Sequence, residues 1–231
     1  MPFMIIKAVL LDLDDTLWPV APVIRHAESR LHAWMQEHVP AVTALHTIDS
    51  LRERRQALVA SDPRFSYDLW ALRHTLLRQI LIEHDEDPAK ADQAMAVFAA
   101  ARNQVSLYED VRPALQTLAQ KVRLGTVSNG FADLQAIGLA PHFEVSVAAH
   151  QFGCAKPDPR IFLAACDALG LVPQSVLYVG DDLLLDVEGA QQAGLRAGWM
   201  NRSGMPSADP RHQHILPDAE FKDLHDLTEW L

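Results

Sequence analysis

The chain has 231 residues, 49% hydrophobic and 22% charged, with a formal net charge of −10 at pH 7. Its length suits one large domain or a core domain with a smaller insert. The negative charge argues against nucleic acid as a partner, since phosphate backbones require a basic footprint. No apolar run reaches the roughly 20 residues that a membrane helix needs. Cys154 and Cys166 are too few for a disulfide framework or a thiolate metal site. Lys7 interrupts the N-terminal apolar stretch and no small-residue cleavage site follows, so the expected location is the cytoplasm.

The first element is the apolar run at residues 5–11, read as a buried strand. It leads into Asp12-Leu13-Asp14-Asp15-Thr16. Three carboxylates in such a place are costly unless a metal or hydrogen bonds compensate them. In parallel sheets, strand ends of this kind commonly form active sites. Asp15 reads as a turn residue.

Residues 19–103 contain no convincing strand. Val23, Ala27, Leu31, Trp34 and Met35 make one helical stripe, and Leu51, Arg55 and Leu58 suggest a shorter second. Leu69, Leu72, Leu76 and Ile80 make a third. Asp87-Pro88 is expected to open a fourth helix as N-cap and first helical residue, continuing through Ala91, Met95 and Phe98. Arg52, Arg54 and Arg55, interrupted by Glu53, read as a solvated helix face. The stretch implies a helical bundle inserted after the first strand.

Beyond it, apolar runs at 122–127, 144–148, 176–180 and 195–199 alternate with helical patterns closed by Gly138, Gly170 and Gly194. Such alternation implies βαβ units and a parallel sheet. Asp218 to Leu231 would add an edge strand and a last helix. The expected fold is therefore α/β: a Rossmann-like parallel-sheet core from residues 1–18 and 104–231, with a helical bundle at 19–103.

Three more polar groups fall at expected strand ends: Ser128-Asn129-Gly130, Lys156-Pro157-Asp158-Pro159, and Gly180-Asp181-Asp182 with Asp186 beyond. A parallel sheet brings these ends to one edge, so distant segments can converge on one pocket. Asp12, Asp14 and Asp181 supply hard oxygen donors suited to Mg²⁺. Lys156 and Ser128 supply donors for anionic oxygens. The set suits a phosphoryl group in transfer. A carboxylate meeting a phosphate dianion is repelled by about 4 kcal/mol per unit-charge pair at about 4 Å and an effective dielectric of about 20. A divalent cation can offset that.

In this order, DxDxT at Asp12–Thr16, Ser128, Lys156 and GDDxxxD at Gly180–Asp186 resemble the four motifs of the haloacid dehalogenase-like (HAD) hydrolase superfamily. The likeness covers nearly the whole chain, and the insert resembles that superfamily's helical C1-type cap. The resemblance implies that Asp12 attacks phosphorus to form an aspartyl-phosphate, and that Asp14 protonates the leaving alkoxide and later deprotonates water. It implies that Asp12, the carbonyl of Asp14 and Asp181 hold Mg²⁺, and that Ser128, Asn129 through its side chain or backbone N–H, and Lys156 bind the phosphoryl group. Asp182 and Asp186 would orient Lys156 and metal-bound waters. Thr16 would fix the turn, and Trp18 is a candidate substrate contact.

Within the superfamily, DLDDTLW, the long helical cap and VGDDLLLDVEGAQQAG most resemble bacterial phosphatases of flavin mononucleotide or 5-amino-6-(5-phospho-D-ribitylamino)uracil. That likeness implies a small phosphorylated metabolite as partner, with the chain a monomer or homodimer. A 2-haloacid dehalogenase and a phosphomutase are the alternatives on the same fold. Halide leaves without a proton, so an acid at Asp14 favours phosphoryl transfer. A mutase would differ in how it excludes water.

Overall fold

Six strands form one all-parallel sheet in the order β3-β2-β1-β4-β5-β6. The structure is a computed structural model and describes residues 5–231. The strands are β1 Ala8–Leu11, β2 Arg123–Ser128, β3 Val145–Ala148, β4 Val176–Gly180, β5 Arg196–Met200 and β6 Ala219–Phe221. β1 and β4 are buried along their whole length, as near-continuous apolar runs in a sheet covered on both faces should be. Each fully buried Val or Leu there contributes about 1.5–3 kcal/mol.

Register decides which side chains meet. Leu11 aligns with Thr126 on β2 and with Val179 on β4. Asp12 therefore leaves the sheet between Ser128 at the end of β2 and Asp181 just past β4. This is the point where strand order reverses, since β2 and β3 lie on one side of β1 and β4 to β6 on the other.

The chain divides into two compact units. The first holds the described chain up to Pro19, Ser106–Gly130 and Gly138–Leu231, and contains the sheet. Its helices include Val111–Lys121, Pro159–Leu169 and Leu224–Trp230. Asp158 caps the second of these, its Oδ1 accepting from the Arg160 N–H at 2.9 Å with Pro159 in the first turn. Gly170 closes it in a left-handed conformation, φ 63°.

The second unit holds Val20–Val105 and Phe131–Ile137. Its main helices are Val20–His38, Ile48–Val59, Leu69–Glu83 and Lys90–Arg102. The core is built from the expected stripes, with Ala27, Leu31 and Met35 packed with Leu76, Ile80, Met95 and Phe98. Three details differ from the sequence reading. The fourth helix begins at Lys90, and Asp87 caps only the preceding turn, accepting from the Ala89 N–H at 2.9 Å. Residues 131–137 belong with the helices, because the Phe131 ring packs edge-on against Trp70 at 5.6 Å and against Phe98 at 6.1 Å.

The arginine cluster stays partly exposed, and its side chains turn to acidic partners that the sequence did not reveal. Arg52 donates through Nε to Glu28 at 2.7 Å, Arg55 through Nη1 to Glu28 at 3.2 Å, and Arg54 pairs with Glu83 at 2.6 Å. Glu28 is buried, which alone would raise its pKa, but Arg52, Arg73 and Arg55 hold its carboxyl below the usual range. Among the described residues no helix is long and apolar enough to cross a membrane.

Candidate active site

Lys156 is the centre of the site. Its ammonium is buried and donates to Asp12 Oδ1 at 2.6 Å, Asp186 Oδ1 at 2.6 Å and the Tyr178 hydroxyl at 2.8 Å. Tyr178 in turn donates to the carbonyl of Val127 at 2.9 Å. The three donors of the ammonium are thus all used, and its position is fixed by β1, β4 and the turn after β4.

Gly180 permits this closeness, because a Cβ there would collide with the Asp186 carboxylate. Asp186 Oδ2 also accepts from the Asp182 N–H at 2.9 Å. Of the two residues expected to orient Lys156, only Asp186 touches it. Asp182 instead caps the turn Leu183–Glu188, its Oδ1 accepting from the Leu184 and Leu185 N–H groups at 2.9 Å.

One carboxylate oxygen each from Asp12, Asp181 and Asp186 lie within 4.8 Å of one another. Burial pushes the Asp12 carboxyl well above the usual range, Lys156 pulls it back, and Asp186 and Asp181 add to the rise. Asp181 is pushed up to about 7 by burial, then by Asp186 and Asp15, with Lys156 opposing. Burial works against charging Lys156, yet Asp12 and Asp186 hold its pKa above the usual lysine value. Ionised together, three carboxylates against one ammonium would leave two negative charges uncompensated, a deficit that suits one divalent cation. The donors are all hard oxygens, and so the residues present fit such an ion.

Asp14 is half-buried, and its Oδ1 accepts from the Trp18 indole N–H at 2.8 Å. Trp18 itself is fully buried. It therefore supports Asp14 from beneath, and full burial withdraws it as a substrate contact. Asp15 makes the turn at φ 57°, a conformation Asp tolerates, and its N–H donates to the Trp18 carbonyl at 2.7 Å. Thr16 is buried, with its hydroxyl 3.4 Å from Asp181 Oδ1.

Ser128 is buried, its Oγ accepting from the Gly130 N–H at 3.1 Å. The Asn129 side chain is tied to the backbone of Lys156, accepting from its N–H at 2.8 Å and donating to its carbonyl at 3.1 Å. That pairing aligns the β2 loop with the lysine and takes the Asn129 amide away from ligand. Asp12, Asp14, Ser128, Asn129, Lys156 and Asp181 all line one pocket of about 190 Å³, room for a phosphoryl group and its waters. A wider cleft of about 400 Å³ shares Asp15, Asp181 and Asp182 with it and continues past Tyr108, Trp199 and Arg202.

Two groups at the site were not singled out from the sequence. Tyr178 is a tyrosine inside an otherwise apolar strand, and a buried hydroxyl needs a partner, which was the available signal. Arg202 lies in a loop with no motif around it. Its Nε and Nη2 both donate to the Thr16 carbonyl, at 2.9 and 2.7 Å.

The chain belongs to the haloacid dehalogenase-like hydrolase family, which it matches over residues 6–194. It is 30% identical to the 5-amino-6-(5-phospho-D-ribitylamino)uracil phosphatase YigB of Escherichia coli, over 96% of this chain and 95% of that protein. It is also 30% identical to the phosphoserine phosphatase of Thermus thermophilus, over 96% of this chain and 97% of that one. Among solved structures, a 2-haloacid dehalogenase from Pseudomonas syringae superposes with a TM-score of 0.89 and 37% identity, covering 98% of this chain and all of the other.

A metal held at this cluster would be linked to pH through Asp181. Its folded pKa, near 7, lies above the ordinary value of 3.8. Its favourable share of stability is therefore complete below about pH 4 and is lost as pH rises through about 7. The metal-free protein should melt at lower temperature at about pH 8 than at about pH 5. Added Mg²⁺ should raise the melting temperature more at the higher pH, because its ligands must be deprotonated. Thermal unfolding at both pH values, with and without Mg²⁺, reads the effect; an equal Mg²⁺ shift at both would refute it.

Proposed function

We propose that the protein is a cytoplasmic, Mg²⁺-dependent phosphomonoesterase, a monomer or homodimer, that hydrolyses a small phosphorylated metabolite through an aspartyl-phosphate. A flavin-pathway or nucleotide-like phosphate is the substrate class its likeness to YigB favours. The observation that carries the reading is an acid, Asp14, two residues beyond the Lys156-bound Asp12 and lining the same pocket.

An Asp12 oxygen attacks phosphorus as the bond to the alkoxide oxygen breaks. Asp14 gives its proton to that alkoxide, and then takes one from the water that cleaves the aspartyl-phosphate and restores Asp12. The Lys156 ammonium, with Ser128 and the backbone N–H groups after β2, neutralises the transferring oxygens. When bound, Mg²⁺ held by Asp12, Asp181 and the Asp14 carbonyl supplies the positive charge that lets a carboxylate approach a phosphate dianion. The helical unit is the family's C1-type cap in this reading and selects the leaving group.

The 2-haloacid dehalogenase resemblance sets the rival. Displacement of halide needs no proton donor and no cation, so it leaves both Asp14 and the uncompensated carboxylates without a task. A panel of flavin mononucleotide, 5-amino-6-(5-phospho-D-ribitylamino)uracil, sugar phosphates and p-nitrophenyl phosphate, beside 2-chloropropionate, separates the two. Phosphate release that requires Mg²⁺ supports the proposal, whereas metal-independent chloride release sinks it. Asp14→Asn should lower turnover of alkyl phosphates by roughly 10²–10⁴-fold and of p-nitrophenyl phosphate far less, since p-nitrophenolate departs unprotonated. Equal losses on both would remove Asp14 as the acid.

A further inference from the structure

The loop that carries Asp12 and Asp14 is tied at its far end by a side chain that follows β5. Past Asp15 the backbone carbonyl of Thr16 accepts twice from one side chain. Arg202 donates to it through Nε at 2.9 Å and Nη2 at 2.7 Å. The other edge of the same guanidinium forks onto Asp110, Nη1 to Oδ1 and Nη2 to Oδ2, both at 3.0 Å. Its face lies over the Tyr108 ring, 3.9 Å from the centroid.

Asp110 cannot swing to follow, because its Oδ2 also accepts from the Leu224 N–H at 2.8 Å. Tyr108 is itself fixed by its N–H, which donates to the Leu17 carbonyl at 3.1 Å. Every degree of freedom of the guanidinium is thereby set by groups outside the reacting centre.

What this plane fixes reaches a carboxylate of the acidic cluster in one step: the Thr16 hydroxyl lies 3.4 Å from Asp181 Oδ1. Three residues before Arg202, the Trp199 indole N–H donates to the Asp181 carbonyl at 2.9 Å. The end of β5 thus holds both the catalytic loop, through Arg202, and Asp181, through Trp199.

We propose that Arg202 is a positioning residue. By clamping the Thr16 carbonyl against Asp110 it sets the distance between the Asp12–Thr16 loop and Asp181, and so the geometry of the metal-binding carboxylates. The inference rests on the phosphatase reading only for its kinetic arm. A lysine cannot replace the clamp, because an ammonium lacks the planar fork that serves two acceptors at once.

The test is Arg202→Lys, which keeps the charge beside Asp110, with Arg202→Met as the second variant. Each is measured for Mg²⁺ affinity by calorimetry, for kcat and KM on the best phosphate ester of the wild type, and for thermal unfolding. Arg202→Lys should fold and melt close to wild type, bind Mg²⁺ roughly tenfold more weakly, and lose roughly 10–100-fold in kcat with KM changed little. Arg202→Met should show the same pattern more strongly. A folded Arg202→Lys protein with Mg²⁺ affinity and kcat within about twofold of wild type overturns the proposal. So does a loss of activity that merely tracks the unfolded fraction with Mg²⁺ affinity unchanged. If the wild type cleaves no phosphate ester, the functional reading falls, while the Mg²⁺ titrations still decide whether Arg202 positions the carboxylates.

Discussion

On the proposed mechanism Asp12→Asn should reduce phosphate-ester turnover by roughly 10⁴-fold or more, because an amide is too weak a nucleophile to open the covalent route. The fold should persist. Asparagine is nearly isosteric, and removing one of three crowded carboxylates relieves repulsion among Asp12, Asp181 and Asp186. Lys156 keeps Asp186 and Tyr178 as acceptors. Steady-state rates on the best substrate, with a thermal melt of the same sample, check both halves. A variant that retains more than about a tenth of wild-type turnover would rule out Asp12 as nucleophile.

Lys156→Met should damage stability as well as activity. It leaves Asp12 and Asp186 buried and facing each other without their shared cation, and breaking a buried ion pair from one side typically costs about 3–5 kcal/mol. The Tyr178 hydroxyl loses its donor too. Denaturant unfolding should show that loss in metal-free protein. Because the missing charge is positive, Mg²⁺ should recover part of the stability but little of the rate, since in the proposed mechanism the lysine also serves the transferring oxygens. Full stability without added cation would contradict the arrangement described for Lys156.

The parallel sheet and the convergence of Asp12, Ser128, Lys156 and Asp181 were legible in the sequence for one reason. Most of the apolar runs stop at a polar group or soon before one, and parallel strands stop on a common edge. What was hidden depends on contacts that leave no period. Arg202 reaches Thr16 across 186 positions with only a loop around it. Trp18 read as a candidate substrate contact because it follows the catalytic loop, but a large apolar body that meets a buried space turns inward, and its N–H found Asp14. The Asn129 amide looked like a phosphate donor until the Lys156 backbone, 27 residues away, claimed both its groups. Glu28 sits beside Ala27 at the edge of a helical stripe, which gives no hint that three arginines surround it.

That buried glutamate has a consequence for the helical unit. The helix Ile48–Val59 has no fully buried residue. Its attachment runs instead through Arg52 and Arg55 to Glu28 and through Arg54 to Glu83, backed by the half-buried Leu51 and Leu58. Ions in solution screen the exposed Arg54–Glu83 pair and reach the pairs to buried Glu28 much less, while leaving apolar contacts intact or tighter. Raising sodium chloride should therefore loosen this helix at its Arg54–Glu83 contact, and a protease should cut between His46 and Ser61 faster at high salt than at low salt.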